Sequence, residues 1–346
     1  MTGTDPSPEK YENRLIDLSA PSIVTFFSAL DLKPAEALLK EAYSERRRRP
    51  AYPPAAMLRA LIFQKMRQIP SWRKLAKILR HETSWLPVLG FQKAPCHDSF
   101  SAFTKRIGPE RLCKIFLTLQ LQLRKDYPGL GRRIAVDSTI VKGYSNPYKR
   151  KGSVSDPDAR WGVKGKKFNK PVHVFGYKLQ ISCDADFGIP LDYLVVPANT
   201  SDSRLYYETL LRTQLAGNRV EVSIADAGYD SKRNILLTIK HRAIPIIHLN
   251  PRRSKDKRKR RADYLLPVRR GSDEWNRYYN MRSSVERVFS RLRMELGLEH
   301  LKLRSLQRAE VHFAICLITM TAIACTAATT GYARLALCIE PWRYMG

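Results

Sequence analysis

The chain has 346 residues, enough for two domains or for one large domain with an appendage. Its 61 Lys and Arg against 32 Asp and Glu leave a net charge of +29, and so positive a field makes a polyanion the natural partner. A hydrophobic fraction of 44% excludes general disorder and leaves a folded basic protein. The opening "MTGTDPSPEKYENR", residues 1–14, is polar, carries no signal peptide and reads as a flexible end. The cysteines at 96, 113, 183, 316, 325 and 338 contain no C-x-x-C pair, and Cys96-His97 has no second half of a zinc site. Reduced thiols and a cytoplasmic location are therefore expected.

From Leu15 to about Lys125 the pattern is helical, with short loops. The prolines of "RRRRPAYPPAAMLRALIFQKMRQIP" start a helix before Ala55, with Met57, Leu58, Leu61 and Ile62 on one face. Ser71 caps the next helix, "SWRKLAKILR", which turns Leu75, Ile78 and Leu79 inward and Arg73, Lys74, Lys77 and Arg80 outward. A further helix starts at "HDSFSAFTKRI", 97–107. Short helices with basic outer faces are compatible with a helix-turn-helix-like DNA-binding unit, although any small bundle in a basic protein would look similar.

The pattern changes at Arg132. The β-branched run "RRIAVDSTIV" is followed by a polar loop, 142–170, and then by two strand-like runs, "HVFGYKLQISCDA" and "IPLDYLVVPA". A helix over about 202–215, the strand "RVEVSIADAGYD", a helix over about 231–240 and the strand "AIPIIHLN" complete a β-β-β-α-β-α-β order. Such alternation predicts an α/β fold, a mixed sheet flanked by helices. Near the end, "FAICLITMTAIACTAATTGYARLALC" (313–338) has the length of a membrane span, but its run of small and hydroxyl residues predicts a buried helix instead. The chain thus divides into a flexible end (1–14), an all-α DNA-binding domain (15–130), an α/β domain (131–310) and a C-terminal helix packing on the core (311–346).

Three acids stand out from these elements. Asp137 lies inside an apolar strand, where an uncompensated carboxylate is costly. Asp226 ends a strand, and open α/β sheets gather ligands beyond their carboxyl ends. The third, Glu286, stands among arginines in "YYNMRSSVERVFSRLR", 278–293. Without Gly or Pro this stretch reads as one helix, and at about 100° per residue Met281, Val285, Phe289, Leu292 and Leu296 form an apolar arc. Tyr279, Arg282, Glu286 and Arg293 border that arc, and Arg287 and Arg291 point outward. Three converging carboxylates suit a hard cation, Mg²⁺ or Mn²⁺. Two such ions, ~3.5–4 Å apart, activate a water and stabilise the leaving oxygen of a phosphoryl displacement. The arginines would then hold a phosphodiester beside the metal-holding glutamate.

Each residue also has a plainer reading. Asp137 could simply make local hydrogen bonds, and Glu286 could be an i,i+4 ion pair with Arg282. Tyr279 and Arg282, read as substrate-phosphate contacts, could instead be core-edge packing. Asp184, Asp186 and Asp202 read as turn and cap residues, and Asp230 as the N-cap of the following helix. His173 and His248 receive no role. The runs Arg46–Arg49 and Arg252–Arg261 are solvated loops or phosphate contacts.

Taken together, Asp137, Asp226-Ala-Gly-Tyr-Asp230 and Tyr279-x2-Arg282-x3-Glu286-x6-Arg293 resemble the DDE transposases of bacterial insertion sequences, in the broad IS4/IS5-like group. The signature of that group is Tyr-x2-Arg-x3-Glu-x6-Lys; three positions match, and Arg293 keeps the charge of the fourth. "PPAAMLRALIFQKMRQIPSWRKLAKIL" and "LGFQKAPCHDSFSAFTKRI" are similar to the helical domain that precedes such cores. The resemblance implies an RNase H-like domain that cleaves double-stranded DNA at the element's terminal inverted repeats and joins a 3′-hydroxyl to target DNA. It also implies catalytic and metal-binding roles for Asp137, Asp226 and Glu286, DNA contacts by Tyr279, Arg282 and Arg293, a homodimer on DNA, no membrane, and a nucleoid-associated location. Two rivals stay open: an RNase H-like nuclease without strand transfer, and a DNA-binding repressor descended from a transposase.

Overall fold

The computed structural model describes residues 21–44, 52–148, 154–167, 170–250 and 263–344. The flexible end 1–14 and the basic runs Arg46–Arg49 and Arg252–Arg261 lie outside the described residues.

The N-terminal region is helical: α1 (Ile23–Ala29), α2 (Lys33–Ser44), α3 (Pro54–Met66), α4 (Trp72–His81), α5 (Trp85–Leu89) and α6 (His97–Asp126). Ser71 caps α4 as expected, its hydroxyl accepting from the Lys74 amide at 3.2 Å. The helix starting at 97 runs to Asp126 but breaks at Gly108 (φ 68°, ψ 169°), just before Pro109. No L side chain sits comfortably at that φ, so the glycine permits the bend. In contrast to the single apolar face expected of α3, that helix is buried nearly all round, Gln64 and Lys65 included. The reason is packing: α2, α5, α6 and the C-terminal α11 (Leu306–Thr329) all contact it. Although α11 is long and apolar enough to cross a membrane, 94% of its most apolar stretch is buried inside the protein. It packs on α6, α3 and a sheet strand, joining the helical region and the sheet into one core.

The sheet contains β1 (Arg133–Lys142), β2 (Arg160–Lys167), β3 (Lys170–Asp184), β4 (Pro190–Pro197), β5 (Val222–Ala225) and β6 (Ile244–Ile247). Antiparallel pairing joins β3 to β1 and β4, while β5 runs parallel to β1 and β6 parallel to β5. This is the mixed sheet flanked by helices that the resemblance implies. One strand escapes the sequence reading: β2 lies in the segment read as a polar loop and pairs with the first half of β3. It hands over to β4 at Gly176, the glycine of "HVFGYKL", where a Cβ would run into the Val141 carbonyl.

Alternation along β3 assigns the layers, since successive strand side chains point to opposite faces. Gln180 and Ser182 bond Thr209 and Thr213 of α7 (Asp202–Leu215), whereas Cys183 meets Ser284 on the other face. Ser284 belongs to α10 (Ser283–Met294), which follows α8 (Lys232–Lys240) and α9 (Asp273–Asn280). The helix expected over 278–293 is therefore two helices. Between them the amides of Met281, Arg282, Ser284 and Val285 bond carbonyls three residues back, a tight turn that needs neither Gly nor Pro.

Candidate active site

Strand register brings the first two acids together. In the parallel β1–β5 ladder the last pair is Val136 with Ala225, so Asp137 and Asp226 are the next residues on neighbouring strands. Parallel strands lie ~4.8 Å apart, and paired residues share a face. In the antiparallel ladder Asp137 is opposite Ile181, two residues from Cys183, which puts it on the α10 face. Glu286 is in the first turn of α10. Asp137 and Asp226 therefore adjoin at one end of the sheet, and Glu286 approaches them through Arg282, which pairs with Glu286 and also faces Asp137.

Electrostatics follow from this placement. Asp137 keeps some solvent access but is densely enclosed, and burial pushes its carboxyl up to about 7. The Ser138 amide, donating at 2.8 Å, pulls it down; Asp226 and Asp202 push it up, and Arg282 opposes them. Asp226 accepts from the Gly228 amide at 2.8 Å, and a Cβ on Gly228 would stand 2.9 Å from that same carboxylate oxygen. Glycine at 228 is thus what lets the turn close over Asp226.

Glu286, 52% exposed, accepts from Arg282 at 2.6 Å. The plain i,i+4 pair is present, and it is more than a surface pair because Arg282 also faces Asp137. The Arg282 guanidinium lies 5.8 Å from the Tyr279 ring, which stacks on Trp275 with centroids 4.7 Å apart. His248, given no role from sequence, packs against both rings. Arg293 crosses to the Thr139 hydroxyl, on the same face of β1 as Asp137, and stands 3.6 Å from Glu299. On the apolar arc Val285, Phe289, Leu292 and Leu296 are buried, joined by Val288. Arg287 is exposed as expected, but Arg291 is half-buried, and burial lowers its guanidinium. Arg291 stands one turn after buried Val288, at the edge of the apolar arc, which accounts for its partial burial.

Other residues correct or extend the sequence reading. Asp184 and Asp186 are turn residues: Asp184 accepts three amides and Asp186 pairs with Arg133. Asp230 is no N-cap; Ser231 caps α8, and Asp230 pairs with Arg270 at 3.0 Å. Nor does Asp202 act as a cap. Its carboxylate accepts from the Ser138 hydroxyl at 2.6 Å and from the buried Lys178 ammonium at 2.7 Å. Tyr229, fully buried, has a hydroxyl that makes no close hydrogen bond although Ser138 lies near it; burial, then Asp137, Asp202 and Asp226, hold its phenol well above the ordinary value. Lys178 and Asp202 lie 24 residues apart, and no spacing rule links a strand lysine to a helix-start aspartate across a fold.

Among the described residues no three metal-binding side chains are close enough to chelate one ion. The donor set nevertheless fits a hard divalent cation at Asp137 and Asp226. Both are oxygen ligands, and a buried carboxylate pushed to about 7 lacks the positive charge that would favour ionisation. All six cysteines are free thiols.

The family described as "Transposase DDE domain" matches residues 128–322, more than half of the chain, and "Transposase domain (DUF772)" matches residues 13–106. No curated protein is matched. Among solved structures, the chain is similar to a piggyBac transposase synaptic complex with hairpin DNA, at 11% identity and a TM-score of 0.48, covering 93% of this chain and 76% of that one. A pre-cleavage Mos1 transpososome aligns at 16% identity and a TM-score of 0.23, over 79% and 78% of the two chains. With its central 195 residues matched, the chain belongs to the DDE transposases, a family of divalent-metal-dependent enzymes.

Proposed function

We propose that this transposase serves a bacterial insertion sequence of the IS4/IS5-like group. It cuts double-stranded DNA at the element's terminal inverted repeats and joins the ends to target DNA, with two copies of the chain acting on paired ends. Residues 15–130 bind DNA and residues 131–310 carry the chemistry. Asp137, Asp226 and Glu286 are the catalytic and metal-holding carboxylates, and the ions are Mg²⁺ or Mn²⁺, two per site. Bound there, divalent ions supply charge neutralisation at the scissile phosphate and an activated oxygen nucleophile.

The observation that carries this reading is the register placing Asp137 beside Asp226 under the helix of Glu286. The protein's own groups have separable tasks. Arg282 holds Glu286 through one N–H and has further donors for a phosphate oxygen. Arg293, anchored to Thr139, fixes the end of α10 over β1 and presents charge beside the acids. Tyr279, backed by Trp275 and His248, walls the substrate side of the pair. Affinity for DNA comes mainly from the net charge of +29 and is expected to fall steeply with salt.

The test uses DNA carrying the element's ends, with Mg²⁺, Mn²⁺ or chelator. Asp137→Ala, Asp226→Ala and Glu286→Ala should each abolish cleavage while DNA binding stays within about threefold, because metal ligands act on the transition state. Near-normal cleavage by any one variant removes that residue from the site. Cleavage without joining of a supplied 3′-hydroxyl end would favour a nuclease, and no cleavage at all a repressor.

A further inference from the structure

Between the N-terminal helices and the turn after α10 lies a cavity of about 410 Å³. Lys65 of α3 and His312 of α11, both buried, form its floor; Arg73, His300 and Lys302, all exposed, stand at its mouth. No Asp or Glu lines it. His97, on its wall, is 3.3 Å from Asp98, whose side chain is 80% exposed outside the cavity.

The hydrogen bonds at the floor fix the donors and acceptors. His312 Nε2 is 2.9 Å from the Leu298 carbonyl, which can only accept, so Nε2 carries the proton. Nδ1 must then accept from the Lys65 ammonium, 2.9 Å away. Cys316 donates its thiol to the Leu296 carbonyl, so toward Lys65 it too is only an acceptor. The Lys65 nitrogen is therefore buried against groups that carry no negative charge, and among the described residues no carboxylate pairs with it. A desolvated ammonium without a counter-charge is costly, and burial lowers this one accordingly. An anion entering from the mouth would pass a rim that is itself basic.

We propose that this cavity binds a phosphate group against Lys65, and that the DNA backbone supplies it. The start of α4, a ten-residue helix capped by Ser71, borders the cavity and adds the favourable end of its dipole. Arg73 at the rim continues into the exposed basic face of α4 with Lys74, Lys77 and Arg80, a track along which a polyanion can lie. The phosphate site stands independently of the catalytic carboxylates; its DNA source rests on the proposed function.

Inorganic phosphate is titrated into the full-length, metal-free chain while Tm is recorded. The wild type should show a saturable rise in Tm, and Lys65→Met should lose it. Arg73→Ala/Lys302→Ala should weaken phosphate affinity roughly tenfold or more, and since both residues are exposed it carries the test alone if Lys65→Met does not fold. Arg219→Ala, at a side chain 90% exposed, should keep the full rise and so report non-specific charge effects. Asp137→Ala should also keep it, which separates this site from the catalytic reading. A duplex oligonucleotide that competes phosphate away assigns the site to the DNA backbone. Binding that duplex does not compete assigns it to a free phosphate and overturns the DNA source. No rise in the wild type, or an equal rise in Lys65→Met and the rim variant, overturns the site itself.

Discussion

Replacing Asp137 by Asn should make the metal-free protein more stable at pH 8 while removing its activity. The carboxyl sits at about 7 rather than at its ordinary 3.8, with burial the first cause and Asp226 and Asp202 adding to it. Above about pH 4 the unfolded chain has released this proton and the folded chain has not, so stability falls as pH rises toward 7 and stays low beyond it. At about 1.4 kcal/mol per tenfold, the full cost of the ionised form is roughly 4 kcal/mol. Some solvent still reaches Asp137, so a gain of about 2–4 kcal/mol is expected from a neutral isostere, vanishing below about pH 4. The assay is urea denaturation in chelator from pH 4 to pH 8, wild type against variant. Added Mg²⁺ should then recover much of the wild-type deficit at pH 8 and leave the variant unmoved. Parallel stability curves for the two proteins would refute the strained carboxylate, and with it the argument that this position lacks a cation.

Arg282→Ala should cut both end-DNA affinity and cleavage by roughly tenfold to a hundredfold, the range for losing a charge-assisted contact, and Arg282→Lys should recover only part of that. Arg287→Ala, which loses a surface bond to Ser283, should change either by less than about threefold; equal losses at 282 and 287 in gel-shift and cleavage assays would dissolve the distinction between the two faces. Arg293→Lys places the lysine of the Tyr-x2-Arg-x3-Glu-x6-Lys pattern that this stretch resembles and should keep activity, read as cleavage rate against wild type. Lys178→Met strips Asp202 of its buried partner, and a loss of about 1–3 kcal/mol in denaturant stability is expected. Tyr229→Phe removes a buried hydroxyl that makes no close hydrogen bond, so Tm should hold or rise; a clear fall would mean that the phenol bonds Ser138 or one of the surrounding carboxylates.

What could be read from the chain alone divides along physical lines. An acid inside an apolar strand breaks a strict pattern, and one at a strand's carboxyl end sits where open sheets gather ligands, so Asp137 and Asp226 stand out without a structure. The apolar arc of α10 is legible for the same reason, since helical period survives any partner. By contrast, β2 is hard to see because Arg160-Trp-Gly-Val-Lys-Gly-Lys-Lys167 has few apolar residues, and its pairing with β3 supplies what its side chains do not. The break at Met281–Arg282 is silent because three-residue hydrogen bonds replace four-residue ones without any special residue. The uniform burial of α3 is equally hidden, because the helix that covers it, α11, arrives some 240 residues later. The same separation hides Lys65 beside His312, 247 positions apart. In sequence Lys65 is one of many lysines in a basic protein. Only the fold removes its water and its counter-charge together, and that combination makes it a candidate for binding rather than for solubility.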